Sequence, residues 1–153
     1  MINLDGVFQE GMRLELGRIL NKDLFLFLLD YEVKRSRRYQ NFLSILILEL
    51  IALPSDDGMN DLRSSCQMLA TLVLDEMREA DIFGVVGENR LVVLLPYADA
   101  SAGNQAKARF ESFLEYGDFR SRGCEVKIHQ VSYPMHGTDT HDLTKKVLGA
   151  API

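Results

Sequence analysis

The stretch MREADIFGVVGENRLVVLLP, residues 77–96, holds the side chains best suited to chemistry. Arg78 and Asp81 stand three apart, just before two apolar runs joined by Gly87-Glu88-Asn89. An arginine presents a rigid fork of donors that pairs bidentately with phosphate oxygens or with the acceptor edge of a purine. An aspartate accepts from N–H donors. Where a helix gives way to a strand, two residues so spaced can face one ligand. Taken alone, the same spacing describes a surface ion pair worth less than about 1 kcal/mol. Other chemistries find less support. His136 and His141 flank a loop but lack a third ligand for a metal, and His129 falls in a strand-like segment. Ser64 and Ser65 have no local base to activate them as nucleophiles.

The elements that must position Arg78 and Asp81 are legible from periodicity. Phe8, Met12, Leu16 and Ile19 recur at helical spacing, so residues 1–21 are expected to form an N-terminal helical extension. Asn21 is placed to cap a second helix from Lys22 to about Arg38. Its start, LFLFLL, is too wide for one apolar stripe, which predicts packing on two sides: a sheet, and a partner. Ser44 to Leu53 reads as a buried central strand holding one acid, Glu49, and ended by Pro54. PSDDG reads as a loop. Met59, Leu62, Cys66, Leu69, Val73 and Met77 then predict a helix of about five turns. The hairpin follows, closed by Pro96. Ala102, Ala106, Phe110, Phe113 and Leu114 mark another helix, CEVKIHQVSYP a last strand, and Asp142 to Leu148 a short helix. The order βαββαβ with one tight hairpin predicts an α/β (α+β) domain over residues 22–153: a mostly antiparallel central sheet flanked by helices.

Bulk properties narrow the function classes. A chain of 153 residues, 47% hydrophobic and 25% charged, suits one globular domain with a real core. Its net charge of −5 gives no reason to expect general nucleic-acid binding, so no DNA partner is expected. The basic cluster Lys34, Arg35, Arg37 and Arg38 reads first as a solvated helix face. Cys66 and Cys124 lie in apolar-periodic segments without metal-type spacing, which predicts reduced structural thiols and a cytoplasmic setting. Asp5, Glu10 and Glu15 interrupt any signal-peptide core, and LFLFLL is too short to span a bilayer.

Three segments together carry a family resemblance. VKRSRRYQNFLSILILEL resembles the arginine-rich helix end and first strand of GGDEF domains, the diguanylate cyclase fold. MREADIFGVVGENRLVVLLP resembles that family's central hairpin, where Arg-x-x-Asp comes five residues before the Gly-Gly-Asp/Glu-Glu-Phe turn. KIHQVSYPMHG resembles its penultimate strand and the loop after it. The resemblance spans roughly Lys22 to Leu148 and implies a nucleotidyl-cyclase/ferredoxin-like core. It also implies a lost catalytic centre. The signature turn reads Gly87-Glu88-Asn89-Arg90-Leu91, with Glu88 for the second glycine, and Asn89 and Arg90 for the two acids. Family enzymes hold two divalent metals between the turn acids and the first strand. Here that strand offers Glu49, with Ile51 where a second Asp usually stands. Hard divalent cations require anionic oxygen ligands, so no catalytic residue and no metal are expected. Arg63 falls where a guanine-contacting Asp would lie.

The same resemblance implies that a second site is kept. Family members bind their product, cyclic di-GMP, at the Arg-x-x-Asp, completed by two further arginines. Arg78 and Asp81 match that motif, Arg109 falls at the matching spacing after Gly87, and Arg35 at the matching spacing before Glu49. The expected function is a non-catalytic cyclic di-GMP receptor needing no cofactor. Arg35 would reach the ligand from the same or a neighbouring subunit, in a ligand-linked homodimer, and the signal would pass to an unknown protein partner. Residues 2–20 would serve as an output or dimerisation helix. The alternative is a ligand-free interaction or dimerisation scaffold that uses the first helix and the Lys34–Arg38 cluster as its contact surface.

Overall fold

The computed structural model describes residues 18–54 and 62–153. Its elements are β1 (Ile19–Leu20), α1 (Lys22–Tyr39), β2 (Leu43–Ala52), α2 (Leu62–Glu76), β3 (Ile82–Gly87), β4 (Arg90–Pro96), α3 (Ala100–Leu114), two 3₁₀ turns (Glu115–Gly117 and Phe119–Arg122), β5 (Cys124–Tyr133) and α4 (Thr140–Val147). They form an α/β domain around one five-stranded sheet of order β1-β3-β4-β2-β5. All pairings are antiparallel except β1 with β3.

The expected βαββαβ core is present, with one correction. Ile19 and Leu20, read as the end of a helix, form a strand paired with Phe83 and Gly84. Ile19 is buried against the core, so its apolar side chain serves a sheet edge rather than a helix face. Residues 1–17 of the expected N-terminal helix, residues 55–58 of the PSDDG loop and Met59 at the expected start of the next helix lie outside the described residues. Asn21 caps α1 as expected: its side chain accepts from the Leu24 N–H at 2.9 Å, satisfying a donor that the first helical turn leaves open.

Strand β2 organises both cores. Leu46, Leu48 and Leu50 point to the layer of α2 and α3, while Ile45 and Ile47 point to the layer of α1 and α4. This is the two-faced burial that the continuous apolar run SILILELIAL requires. On the α1 side, Phe25, Leu29 and Val33 are fully buried at helical spacing. Phe25 packs against Gly84 of β3, and a Cβ there would come within 2.6 Å of its ring. The second side of α1 is uncovered: Leu24, Phe27 and Tyr31 are 45%, 65% and 56% exposed.

Cys66 of α2 and Cys124 of β5 are both buried and unbridged. Burial pushes the Cys66 thiol up to about 12, with a smaller contribution from Cys124.

Two measurements check this packing. Gly84→Ala should destabilise the fold by about 1–3 kcal/mol in urea unfolding, because the added methyl overpacks the Phe25 ring. A neutral or stabilising result would mean that Phe25 does not sit there. A thiol reagent at pH 8 should leave Cys66 unmodified in the native protein and modify it once denatured, since a thiol with its pKa near 12 supplies almost no thiolate.

Candidate functional site

The loop between α2 and β3 carries Arg78 and Asp81 in a closed turn. The Asp81 carboxylate accepts from the Arg78 backbone N–H at 2.9 Å, and the Asp81 N–H donates back to the Arg78 carbonyl at 3.1 Å. The two residues are therefore joined through backbone, not as the guanidinium–carboxylate pair that a surface ion pair would need. Arg78 keeps its fork exposed to solvent while Asp81 is half-buried. Arg18 adds a third tie by donating from Nη2 to the Arg78 carbonyl at 3.2 Å. It stands directly before β1, whose pairing with β3 brings it there. Sequence reasoning missed Arg18, because residues 18–20 were read as helix. A lone arginine before Ile-Leu carried no signal of its own.

Helix α3 supplies the opposite wall. Its N-cap is Asp99, which accepts from the Ala102 N–H at 2.8 Å, so the helix begins two residues before the first apolar marker. Small residues, Ala102 and Ala106, face the sheet end and leave room. The result is a cleft of about 300 Å³ lined by Arg78, Asp81, Leu95, Pro96, Ala98 and Arg109, among others. Arg109 is half-buried, and its Nε is a buried donor without a hydrogen-bond partner. Its guanidinium lies 5.4 Å from the centre of the Phe110 ring, within cation–π range. Three of the four residues picked from the sequence thus line one concavity. Its two cations and one anion bracket a floor of Leu95 and Pro96.

Arg35 is not in that cleft. Glu32, three residues earlier on α1, holds its Nε at 3.1 Å and its Nη2 more tightly. Its Nη1 donates to the Tyr97 hydroxyl, and its guanidinium lies 4.4 Å from the centre of that ring. Hydrogen bonding to Glu32 holds the guanidinium above its already high ordinary value. Tyr97 sits between the cleft residues Pro96 and Ala98 at φ 62°, a left-handed conformation costly for a non-glycine residue. Arg35 therefore contacts the segment between Pro96 and Ala98 rather than the cleft itself.

The turn at residues 87–91 is a structural joint. Glu49 of β2 and Arg90 of β4 are direct cross-strand partners, with Arg90 Nη2 3.4 Å from Glu49 Oε2. Arg90 also donates from Nη1 to the Val147 carbonyl at the end of α4, at 3.4 Å, and Gly149 packs on its guanidinium. His129 Nε2 lies 3.5 Å from the same Glu49 oxygen. Asn89 is tied to β2 twice: its side chain donates to the Leu50 carbonyl, and its own carbonyl accepts from the Leu50 N–H, each at 2.9 Å. Two divalent metals do not fit these residues. The single carboxylate is already met by a guanidinium, and Asn89 spends its amide on backbone. No group of three or more His, Cys, Asp or Glu side chains among the described residues could hold a metal. Glu88 and Leu91 complete the turn segment, the first half-buried and the second in the core.

No protein-family model matches the chain, and no curated protein sequence matches it either. Solved structures do. A DGC protein from Thermotoga maritima superposes with a TM-score of 0.70 at 18% identity, over 88% of this chain and 97% of that one. The FimX GGDEF domain from Pseudomonas aeruginosa gives 0.66 at 16% identity, over 86% and 90% of the two chains. The GGDEF domain of DgcB from Caulobacter crescentus, in complex with c-di-GMP, gives 0.63 at 14% identity, over 85% and 79%. Among the described residues, no helix is long and apolar enough to cross a membrane. At these identities the likeness speaks for architecture, and the chain has the GGDEF-domain fold.

Proposed function

We propose that this GGDEF-fold domain is a non-catalytic receptor for cyclic di-GMP. The observation that carries the reading is the cleft in which Arg78, Asp81 and Arg109 converge. Its chemistry suits one guanine with an adjoining phosphate. A carboxylate held in place by the Arg78 N–H accepts from the guanine N1–H and N2–H₂ groups. The forks of Arg78 and Arg109 serve the O6/N7 edge or the phosphate oxygens. The buried Nε of Arg109 gains the acceptor it lacks. At about 300 Å³ the cleft is at the small end of ligand pockets, so part of the dinucleotide stays outside it. A ligand left protruding in this way is suited to bridging a second protomer or a protein partner.

Loss of cyclase activity follows from the turn. Arg90 places a cation where the chemistry requires divalent metals, and Glu88 sets an anion where a triphosphate would approach. The binding energy of the ligand then has no reaction to serve. It acts by favouring whichever state of association binds it better. Arg35 acts on the site by supporting the Tyr97 segment, and it becomes a direct ligand contact only if Glu32 and Tyr97 release it.

Calorimetric titration with cyclic di-GMP should show saturable binding that Arg78→Ala or Arg109→Ala weakens by about 1–3 kcal/mol each, roughly 5–150-fold. Cyclic di-AMP should bind far more weakly, since adenine offers Asp81 no matching N1–H. Equal affinity for both dinucleotides, or no heat with either, contradicts the receptor reading and leaves a ligand-free scaffold. Incubation with GTP and Mg²⁺ should yield no cyclic di-GMP, and measurable turnover would refute the assignment of a retired turn.

A further inference from the structure

Helix α1 has an outward face that no other described element covers. Opposite Phe25, Leu29 and Val33, the side chains of Leu24, Phe27 and Tyr31 project into solvent at 45%, 65% and 56% exposure. Their spacing of three and four puts them on one stripe, about 10 Å long at 1.5 Å rise per residue. Singly exposed apolar residues are ordinary, but a contiguous stripe of one leucine and two aromatic rings on a regular helix marks a contact surface.

We propose that this stripe is the self-association surface of the protein, occupied by α1 of a second copy running antiparallel. The charge pattern along the helix selects that occupant. Asp23 stands at one end of the stripe, and Lys34 and Arg38 stand beyond the other. A two-fold axis near position 29 sets Phe27 of each helix against Tyr31 of the other. It brings Asp23 of each copy towards the basic end of its mate, so every contact is made twice. A parallel pair would stack the two basic ends on each other and is disfavoured. An anionic lipid surface is a poorer match, because Asp23 and Asp30 flank the stripe; the Lys34–Asp30 pair at 2.8 Å is solvent-exposed and weak, so Lys34 can exchange onto Asp23 of a mate. The stripe lies on the α1 layer, whereas the cleft opens towards α3. Association through α1 therefore does not depend on the ligand reading.

Sedimentation velocity and light scattering of the full chain without nucleotide test this surface. The wild type should run at twice the 17.3 kDa chain mass and dissociate on dilution. Phe27→Asp should run at the single-chain mass with unchanged circular dichroism, since a side chain two-thirds exposed adds little to the fold. Asp23→Lys should weaken the dimer, and adding Lys34→Glu should restore it. A monomeric wild type, a dimer indifferent to Phe27→Asp, or failure of the charge reversal to restore association would each overturn the proposal. Binding of a monomeric wild type to phosphatidylserine vesicles, lost in Phe27→Asp, would assign the stripe to a membrane surface instead.

Discussion

Strand β2 is covered on both faces, and the rest of the molecule depends on its register. Strand β5 pairs with it along its whole length on one side, and β4 from Leu43 to Glu49 on the other. A slip of one residue would turn Leu46, Leu48 and Leu50 into the wrong layer and drive Glu49 into the α2/α3 core. The pair Glu49–Arg90 helps to hold that register. It is partly shielded from water, its geometry is set by two strands, and Arg90 is anchored again at the end of α4. Burying one charge without the other would be costly, so the pair locks the hairpin, the central strand and the last helix together.

The cleft is built from what that sheet leaves at its other end. Strand β3 begins directly after Asp81, and β4 ends at Pro96, so the same hairpin that ends in the joint at Arg90 opens towards the cleft. The reciprocal bonds between Arg78 and Asp81 fix the carboxylate before any ligand arrives. Preorganisation of this kind lowers the ordering cost of binding. Arg109 reaches the same space because Ala102 and Ala106, two turns and one turn before it, are small. Joint and cleft sit at opposite ends of one hairpin, so the first can change its chemistry without disturbing the second.

Much of this was legible in the sequence, and the misses have physical causes. The Asn21 cap of α1 and the apolar periods of α1, α2 and α3 are local signals, and they placed the helices to within a few residues. The two-faced burial of β2 was readable from an apolar run without alternation. Strand β1 was not readable, because two residues have no period and a helical pattern ran into them. Arg35 matched by spacing, but its engagement by Tyr97 joins residues 62 apart and has no local signature. Arg18 was hidden for the same reason. The outward stripe of α1 was visible in the excess width of LFLFLL, although only the structure separates the residues that face the sheet from those that do not.

Amide hydrogen exchange with and without cyclic di-GMP tests the division of labour within the hairpin most directly. The account predicts added protection in residues 78–81 and 102–109, with the turn at residues 87–90 unchanged. Protection centred on the turn, or none anywhere at saturating ligand, would contradict it.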